Sequence, residues 1–221
     1  MKPTNYDFST VSLDALRESI RSGLSEYRYT HVAQVEAMIV RLGALYLPDD
    51  IPMLRAAALL HDLTKEFSKE KHEKILSSHG IIVTDDMRLS PKLYHAVTAA
   101  LLIPELYPHL AHPTLISAVR YHTTGHAEAT VFDLLLYLAD YIDESRTFDD
   151  CVFLRDHFWK KAPEKMDAPQ RLRHLFDTVI RSVELTVASL ERENAPISAD
   201  SILMKDRLSL LLKEAEILKE T

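Results

Sequence analysis

The sequence predicts an all-α fold of about eight helices. Gly occupies only 4 of the 221 positions, whereas Leu, Ala, Glu and Lys, which favour helices, are abundant. Apolar residues recur every three or four positions along most of the chain, which is the spacing of an amphipathic helix. The only β-like run, 81–83, is too short to seed a sheet.

In the first half of the chain, helices are predicted over 13–20, 22–45, 54–65 and 68–79. Ser12 and Asp14 are available to cap the first of them. The second contains one stripe that we expect to face the core, formed by Tyr27, His31, Val35, Met38 and Leu42. The third puts a histidine where leucine would be expected, on a face shared by Leu54, Ala58, His61 and Lys65.

In the second half, helices are predicted over 91–102, 114–122, 131–143, 171–193 and 200–219. Pro104 and Pro108 are expected to break the first of these. Gly125 follows the second, at the position where helices commonly end in a left-handed residue. The helix over 131–143 is apolar nearly all round, so we expect it to be buried on most sides. No repeat or long linker divides the chain, which favours one domain.

Charge, hydropathy and cysteine content exclude several classes of protein. Acidic residues outnumber basic residues by 33 to 26, so the net charge of −7 gives no long-range field that would hold duplex DNA. No apolar run approaches the roughly 18 residues that a membrane helix needs. The N-terminus lacks the features of a signal peptide, and the single Cys151 suits a reducing compartment. We therefore expect a cytoplasmic protein that is not bound to a membrane.

Six polar residues stand on or beside apolar helix faces and are the candidate metal ligands: His31, His61, Asp62, His95, His122 and Asp140. Any one of them alone would be read as a hydrogen-bonded core residue, but the joint pattern favours a metal site. A buried, ionised carboxylate requires an opposite charge or a metal. Imidazoles and carboxylates that converge from several helices suit Fe, Mn, Co or Zn. Four imidazoles and two carboxylates are enough for two ions, which Asp62 can bridge.

Lys65 follows His61 by four residues and is expected to reach the same site. There it would meet a phosphate oxygen or protonate a leaving group. The competing interpretation is a solvated helix residue. The remaining histidines lie in polar or loop surroundings and are interpreted as surface residues without a role: His72, His79, His109, His112, His157 and His174.

Five segments, in the right order, resemble the YqeK family of HD-domain metal-dependent phosphohydrolases. They are Arg28-Tyr29-Thr30-His31-Val32, Leu60-His61-Asp62-Leu63-Thr64-Lys65, Leu93-Tyr94-His95-Ala96, Ala118-Val119-Arg120-Tyr121-His122-Thr123-Thr124-Gly125 and Tyr137-Leu138-Ala139-Asp140-Tyr141-Ile142-Asp143. The resemblance runs from about Ser22 to Leu211. It implies an HD-domain helical bundle around a buried dinuclear centre, with iron as the expected metal and Mn, Co or Zn as substitutes. We therefore expect residues 1–21 to be an N-terminal helical extension and 22–221 to be a single HD domain.

The activity that the resemblance implies is symmetrical hydrolysis of diadenosine tetraphosphate to two ADP. The six candidate ligands would hold two metals with Asp62 as the bridge, and a metal-bound hydroxide would attack phosphorus. Asp62 and Lys65 are the expected catalytic residues. Because the protein is acidic, local cations and amides would have to hold the polyphosphate, and the candidates are Lys65, Thr124, Gly125, His126 and Arg146.

The sequence departs from the family pattern near the expected substrate. His126 stands where the family usually has a basic residue after Thr-Thr-Gly, and Asp149-Asp150 follows Phe148 where the family usually has Pro-Gly. Carboxylates near a phosphate site are unfavourable, so the nucleotide stays open. The alternatives are an HD nucleotidase with another substrate, or a module that senses a nucleotide or contacts RNA or the ribosome. Arg146 has an alternative role as a helix cap, and a homodimer through the last helix is also left open.

Overall fold

A computed structural model describes residues 6–83 and 85–220 of the chain. Within these residues the protein is helical and contains no strand, which confirms the all-α prediction. The eleven α-helices, more than the eight or so expected, are α1 Leu13–Arg21, α2 Glu26–Tyr46, α3 Ile51–Leu60, α4 Lys69–Ser78, α5 Asp85–Leu89, α6 Tyr94–Leu106, α7 Pro113–Tyr121, α8 Val131–Ile142, α9 Asp149–Lys160, α10 Ala168–Arg192 and α11 Ala199–Glu220. In the described part of the chain, none of them combines the length and the hydropathy needed to cross a membrane.

Several helices begin at side chains that satisfy the free backbone N–H groups of a first turn. The hydroxyl of Ser25 accepts a hydrogen bond from the backbone N–H of Arg28 at the start of α2. Helix α8 begins with a capping box in which Thr130 and Asp133 bond each other's backbone. These caps fix where α2 and α8 start, and both helices carry candidate ligands.

Helix α8 lies at the centre of the molecule and is buried along almost its whole length. It packs against α2 and α7, while α2 also packs against α3 and α6 packs against α7. The N-terminal helix α1 contributes Leu16 and Ile20 to the same core. The candidate ligands therefore come from helices that contact one another around α8.

Helix α3 ends at Leu60, five residues before the predicted end, so the prediction of a helix over 54–65 is wrong in its last turn. Three successive turns replace it, each closed by a backbone hydrogen bond from residue i+3 to residue i: Leu63 to Leu60, Lys65 to Asp62 and Phe67 to Thr64. These tighter turns, rather than a helix, carry the His61-Asp62 pair.

Pro104 lies inside α6, which continues to Leu106, so the predicted break at this proline is wrong. The proline falls in the last turn, where it removes only one backbone hydrogen bond. Tyr27 is another correction, because its side chain is 79% exposed in the first turn of α2 instead of facing the core.

Two histidines interpreted as surface residues are buried, each only 5% exposed. His72 Nδ1 lies 2.8 Å from the hydroxyl of Thr98, and His174 Nε2 donates a hydrogen bond of 3.0 Å to the carbonyl of Phe158. Both imidazoles are therefore hydrogen-bonded core residues. Burial lowers the pKa of both side chains, so they favour the neutral form.

Candidate metal centre

The six candidate ligands converge in the interior, and all are buried. His31 comes from α2, His95 from α6 and Asp140 from α8. His61 and His122 occupy the residues that end α3 and α7, and Asp62 follows in the first of the tight turns. The structure thus brings together every residue predicted as a metal ligand.

Three of the imidazoles are oriented by their own backbone. His61, His95 and His122 each donate a hydrogen bond from Nδ1 to the carbonyl three residues earlier, over 2.6, 2.7 and 2.7 Å. Since Nδ1 carries the proton in a neutral ring of this kind, Nε2 is left with its lone pair. That lone pair is the one that points towards the cluster and is free for a metal.

His31 is oriented differently, by side chains on both of its nitrogens. Its Nδ1 lies 3.2 Å from the hydroxyl of Ser145 and 3.4 Å from Asp143 Oδ2, and its Nε2 lies 3.0 Å from Asp140 Oδ1. Burial by itself would lower the pKa of His31, but its hydrogen bonds to Asp140 and Asp143 outweigh burial and raise the pKa to about 9. Asp143 is fully buried and was not predicted to belong to the site.

Asp62 lies between two groups of histidines. Its Oδ2 is 3.8 Å from His31 Nε2 and 3.6 Å from His61 Nε2. Its Oδ1 is 3.2 Å from His95 Nε2 and 3.8 Å from His122 Nε2. Each oxygen of one carboxylate thus faces a different pair of imidazoles.

The donor atoms fit a divalent metal. His95 Nε2 and His122 Nε2 lie 3.0 Å apart, so two lone pairs face each other when both rings are neutral, and a cation between them removes that repulsion. His61 Nε2 and Asp62 Oδ1 are buried without a hydrogen-bond partner among the described residues. The candidate ligand atoms form two sets, and within each set all atoms lie within 4.8 Å of one another. One set comes from His31, His61 and Asp140, and the other from His61, Asp62 and His122.

Metal binding requires neutral imidazoles and ionised carboxylates, and four of the candidate ligands meet this requirement. His31 does not, because its raised pKa means that it must release a proton before it can bind a metal. Burial lowers the pKa of both His61 and His95 to about 4. Burial would raise the pKa of Asp62 and Asp140, but the nearby imidazoles and cations outweigh it and hold both values well below the usual range. A buried His and Asp cluster of this kind can bind metal.

Three cations contact the cluster carboxylates. Arg28 Nη1 lies 2.7 Å from Asp62 Oδ2, and Arg146 Nη2 lies 2.5 Å from Asp140 Oδ1. Lys65 Nζ lies 3.0 Å from His95 Nε2 and 3.6 Å from Asp62 Oδ1. Arg28 was missed in the sequence, although it lies three residues before His31 on α2 and so shares its face.

A cavity of about 670 Å³ opens beside the cluster, and we call it the cluster cavity. Its wall includes His122 and Asp140 together with the predicted substrate residues Lys65 and Arg146. It also contains residues that were not predicted: Lys92, Arg192, Tyr141 and Phe148. Asp149 and Asp150 line it as well, where they also begin α9. The cavity therefore combines cations, carboxylates and aromatic rings next to the cluster.

The other predicted substrate residues lie elsewhere. His126 stacks on Tyr121, with ring centroids 4.3 Å apart, and lines a separate cavity of about 130 Å³. Its position therefore does not support the phosphate contact predicted for it. Gly125 has a φ of +65° and packs against Met204, and Thr124 lines a different cavity from the cluster cavity.

Arg146 combines the two roles considered for it. Its Nε donates a hydrogen bond of 2.9 Å to the backbone carbonyl of Asp140 near the end of α8, as the capping alternative requires. Its guanidinium also pairs with the Asp140 carboxylate and lines the cluster cavity. The charge of Asp140, more than any other cause, raises the pKa of Arg146 and keeps it ionised.

A helical bundle with histidines and aspartates gathered beside a cavity is typical of metal-binding helical proteins. The sequence matches the model of the HD domain family over residues 28–145, more than half of the chain. The chain therefore belongs to the HD domain family, whose members depend on metals.

Curated relatives are similar over most of the chain. Proteins named symmetrical bis(5'-nucleosyl)-tetraphosphatase from Bacillus subtilis and Halalkalibacterium halodurans are each 26% identical, over 83% and 86% of this chain and 90% and 94% of their own. A crystal structure of a predicted HD superfamily hydrolase involved in NAD metabolism, from Clostridium acetobutylicum, has a TM-score of 0.76 and 24% identity and covers 90% of this chain and 97% of its own. These comparisons confirm the predicted class, an all-α HD-domain hydrolase.

Proposed function

We propose that this protein is a metal-dependent hydrolase that cleaves diadenosine tetraphosphate symmetrically to two ADP. The observation that carries the proposal is the position of Asp62, whose two oxygens face two different pairs of histidines beside a cavity with several cations. The names of the curated relatives support the same substrate.

Two metal ions are proposed for the cluster, with iron as the expected metal. His31, His61 and Asp140 would hold one ion, His95 and His122 would hold the other, and Asp62 would reach both. Bound divalent metals supply Lewis-acid chemistry, which activates water and neutralises negative charge on phosphate oxygens. Mn, Co and Zn accept the same nitrogen and oxygen donors.

The cations of the cluster cavity are proposed to hold the polyphosphate. A tetraphosphate chain with two esters carries about four negative charges, and charge-assisted hydrogen bonds are the strong way to bind them. Lys65 and Lys92 lie on the cavity wall, and Arg192 lines it from the end of α10. These side chains supply local positive charge in a protein whose net charge is −7.

Hydrolysis adds the oxygen of one water molecule to a phosphorus atom beside the central bridging oxygen. The bond from that phosphorus to the bridging oxygen breaks, and one ADP departs with the bridging oxygen while the other keeps the oxygen from water. Lys65 Nζ, which contacts Asp62 and lines the cavity, is proposed to donate a hydrogen bond or a proton to the departing oxygen. The proton lost by water passes to solvent.

The aromatic side chains of the cluster cavity are proposed to contact the base of one nucleoside. Phe148 is 69% exposed and lines the cavity together with Tyr141. An exposed ring in a cavity wall offers a face on which a purine can stack, a contact that contributes about 1–3 kcal/mol.

The proposal is tested by loading the purified protein with iron or manganese under anaerobic conditions and assaying diadenosine tetraphosphate, with the product nucleotides separated by chromatography. We expect about two metals per chain and ADP as the sole product. ATP plus AMP would overturn the cleavage position. Metal without turnover would indicate another nucleotide substrate, and the absence of metal under every condition would leave the nucleotide-sensing alternative.

Asp62→Asn provides the matching variant, because it removes the negative charge and keeps the shape. We expect it to lower kcat more than about 100-fold and to reduce the metal content. His109→Gln, at an exposed histidine between α6 and α7 that is not one of the candidate ligands, is the control and should behave as the unmodified protein. Equal turnover in both variants would contradict the assignment of Asp62.

A further inference from the structure

A second cavity of about 480 Å³ adjoins the cluster cavity and contains no candidate metal ligand in its wall. Its lining comes from the start of α6, the end of α7 and the connection from α10 to α11. Thr124, which the sequence predicts to bind substrate, lies in this wall rather than in that of the cluster cavity.

The two cavities have one lining residue in common, and neighbouring residues of two other segments line one cavity each. Thr123 lines both of them. In the segment before α6, Lys92 lines the cluster cavity, whereas Leu93 lines the second cavity. Likewise, residues within 186–193 line the cluster cavity, and residues 196–200 line the second cavity. The cavities are therefore neighbours, and the cluster of candidate ligands lies beside one of them.

The chemistry of the second cavity suits a nucleoside. Val97 and Ile197 supply apolar surface, and Tyr121 supplies an aromatic ring. Arg120 also lines it and forms no ion pair with any described residue, and its guanidinium carbon lies 5.6 Å from the centre of the Tyr121 ring. Tyr94 lies in the same wall, and its buried hydroxyl has no hydrogen-bond partner in the part of the chain that the structure describes.

A volume of this size lies within the range of small-molecule sites, which are mostly apolar with a few polar groups. An unpaired guanidinium at the wall suits a phosphate next to a nucleoside. The metal cluster lies beside the neighbouring cavity, so a linear molecule with a nucleoside at each end can lie in both cavities with its phosphates between them.

We propose that the second cavity binds the nucleoside of the substrate that is remote from Phe148. The inference rests on the proposed function, since only a dinucleoside polyphosphate has two such ends. Anchoring at both ends fixes which phosphorus lies over the cluster, and this accounts for cleavage at the centre of the chain. It also gives Thr124 a role in substrate binding that the cluster cavity does not provide.

Val97→Phe tests the proposal, because a larger side chain fills the second cavity from α6. The readout is the ratio of kcat/KM for diadenosine tetraphosphate to kcat/KM for adenosine 5'-tetraphosphate, which has one nucleoside. We expect this ratio to fall at least about tenfold, as expected when a binding contact worth about 1.4 kcal/mol or more is lost. Val152→Phe, on an exposed part of α9 outside both cavities, is the matched control.

Arg120→Gln is the second variant, in case Val97→Phe does not fold. It removes a charge without filling space, and thermal unfolding reports whether either variant is folded. Binding of a non-hydrolysable diadenosine tetraphosphate with a central methylene bridge to the metal-loaded protein, measured by calorimetry, gives a readout independent of turnover. We expect Kd to rise about three- to tenfold in Arg120→Gln.

The outcomes separate the two proposals. If the metal-loaded unmodified protein does not cleave diadenosine tetraphosphate, the proposed function is wrong. If it cleaves diadenosine tetraphosphate, but folded variants keep the same substrate ratio and the same Kd for the analogue, the second cavity is not a nucleoside site and the proposed function stands. A lower ratio together with weaker analogue binding supports both.

Discussion

The carboxylate of Asp62 is buried but is not left without opposite charge. Arg28 and Lys65 contact its two oxygens from different sides. A buried carboxylate that lacks such partners costs several kcal/mol. The two cations therefore allow the cluster to assemble around Asp62 in the absence of an ion, and they lie where a phosphate or a metal would compete for the same oxygens.

Asp143 is expected to act on metal binding through His31. Its carboxylate lies behind the ring, 3.4 Å from Nδ1, while Nε2 faces the cluster. Residues that orient a metal-ligating histidine typically contribute about 10–100-fold in metal affinity. We predict a loss of this size in Asp143→Asn, measured by metal titration of the apoprotein.

Glu144→Gln is the matched control for Asp143→Asn. The side chain of Glu144 is the next carboxylate in the chain, but it is more than half exposed and pairs with Arg41 and Arg155 instead. We expect its metal affinity to be unchanged. Equal losses in the two variants would indicate a general effect of charge rather than support of His31.

The sequence was sufficient to predict which residues converge in the cluster and insufficient to predict the residues that support them. His31 and Asp140 could be recognised because a polar residue on an apolar helix face needs a reason to be there. Asp143 lies beside them in an ordinary polar segment, and its contact with His31 depends on how α2 meets the end of α8. Lys92 and Arg192 likewise reach the cluster cavity only through tertiary packing.

At the scale of elements, the turn after α7 is joined tightly to α11. Gly125 has a φ of +65°, and a Cβ placed there would overlap the sulfur of Met204. Gly125→Ala therefore combines backbone strain with overpacking, and each effect costs about 1–3 kcal/mol. We predict a corresponding loss in the free energy of unfolding, measured with urea.

Gly80→Ala separates the two effects. Gly80 has a similar φ of +72°, but nothing lies within 4 Å of a Cβ placed there. This variant should lose only the strain contribution, about 1–3 kcal/mol. If Gly125→Ala is no less stable than Gly80→Ala, α11 does not pack on this turn as described.

The contact between α9 and α10 is expected to weaken in acid. Burial lowers the pKa of His174, which donates to Phe158. Below about pH 6.5 the unfolded chain takes up a proton that the folded His174 resists, so the free energy of unfolding falls as the pH is lowered. The charged and titratable groups that act on this ring are His157, Lys161 and Asp177.

We predict that His174→Gln, which keeps a hydrogen-bond donor, loses less stability between pH 7 and pH 5 than the unmodified protein does. Urea unfolding at the two pH values measures this difference. The exposed His109→Gln should show the full loss. An identical loss in His174→Gln would mean that other groups cause the acid sensitivity.

Helix positions followed well from the sequence, whereas some helix ends and two whole helices, α5 and α9, did not. Gly125 correctly predicted that α7 ends nearby, because glycine adopts a left-handed conformation more easily than other residues and this preference is visible in the sequence. Helix α9 was missed although Cys151, Leu154 and Phe158 are spaced by three and four residues and bury one face. The end of α3 at Leu60 has no comparable sequence signal, because the Ala and Leu residues before it all favour a helix. The turns that follow depend on packing around the cluster, which the local sequence does not show.

At the scale of the whole molecule, metal binding is expected to stabilise the fold. A ligand that binds only the folded state at 100 times its Kd adds about 2.7 kcal/mol. For a chain of this size that corresponds to a rise in Tm of about 5–11 °C. We predict such a rise when manganese is added to the apoprotein, measured by differential scanning calorimetry.

The same titration on Asp62→Asn should give a much smaller rise in Tm, because Asp62 faces both pairs of histidines. A metal with no preference for this donor set, such as magnesium, is a second control. An equal rise in both proteins would place the stabilising ion somewhere other than the cluster.

The adjacent positions of the two cavities could not be predicted from the sequence. Their walls come mainly from residues 87–97, 120–124, 137–151 and 186–200, which are far apart in the chain. Taken alone, the sequence of each segment indicates only a helix cap, a turn or a connection between helices. Their common function depends on packing around α8, which no local pattern describes.

The hydrogen bonds from His61, His95 and His122 to carbonyls three residues earlier have a consequence for how the protein matures. Each ring is aimed by its own stretch of backbone, so the donor atoms are in place once the helices have packed. We therefore expect newly made chains to fold first and to acquire their ions afterwards, unlike small zinc domains that need the metal in order to fold. The metal found in the purified protein would then depend on which ion the cell supplies when the chain has folded. The growth medium would therefore influence the bound metal as much as the sequence does.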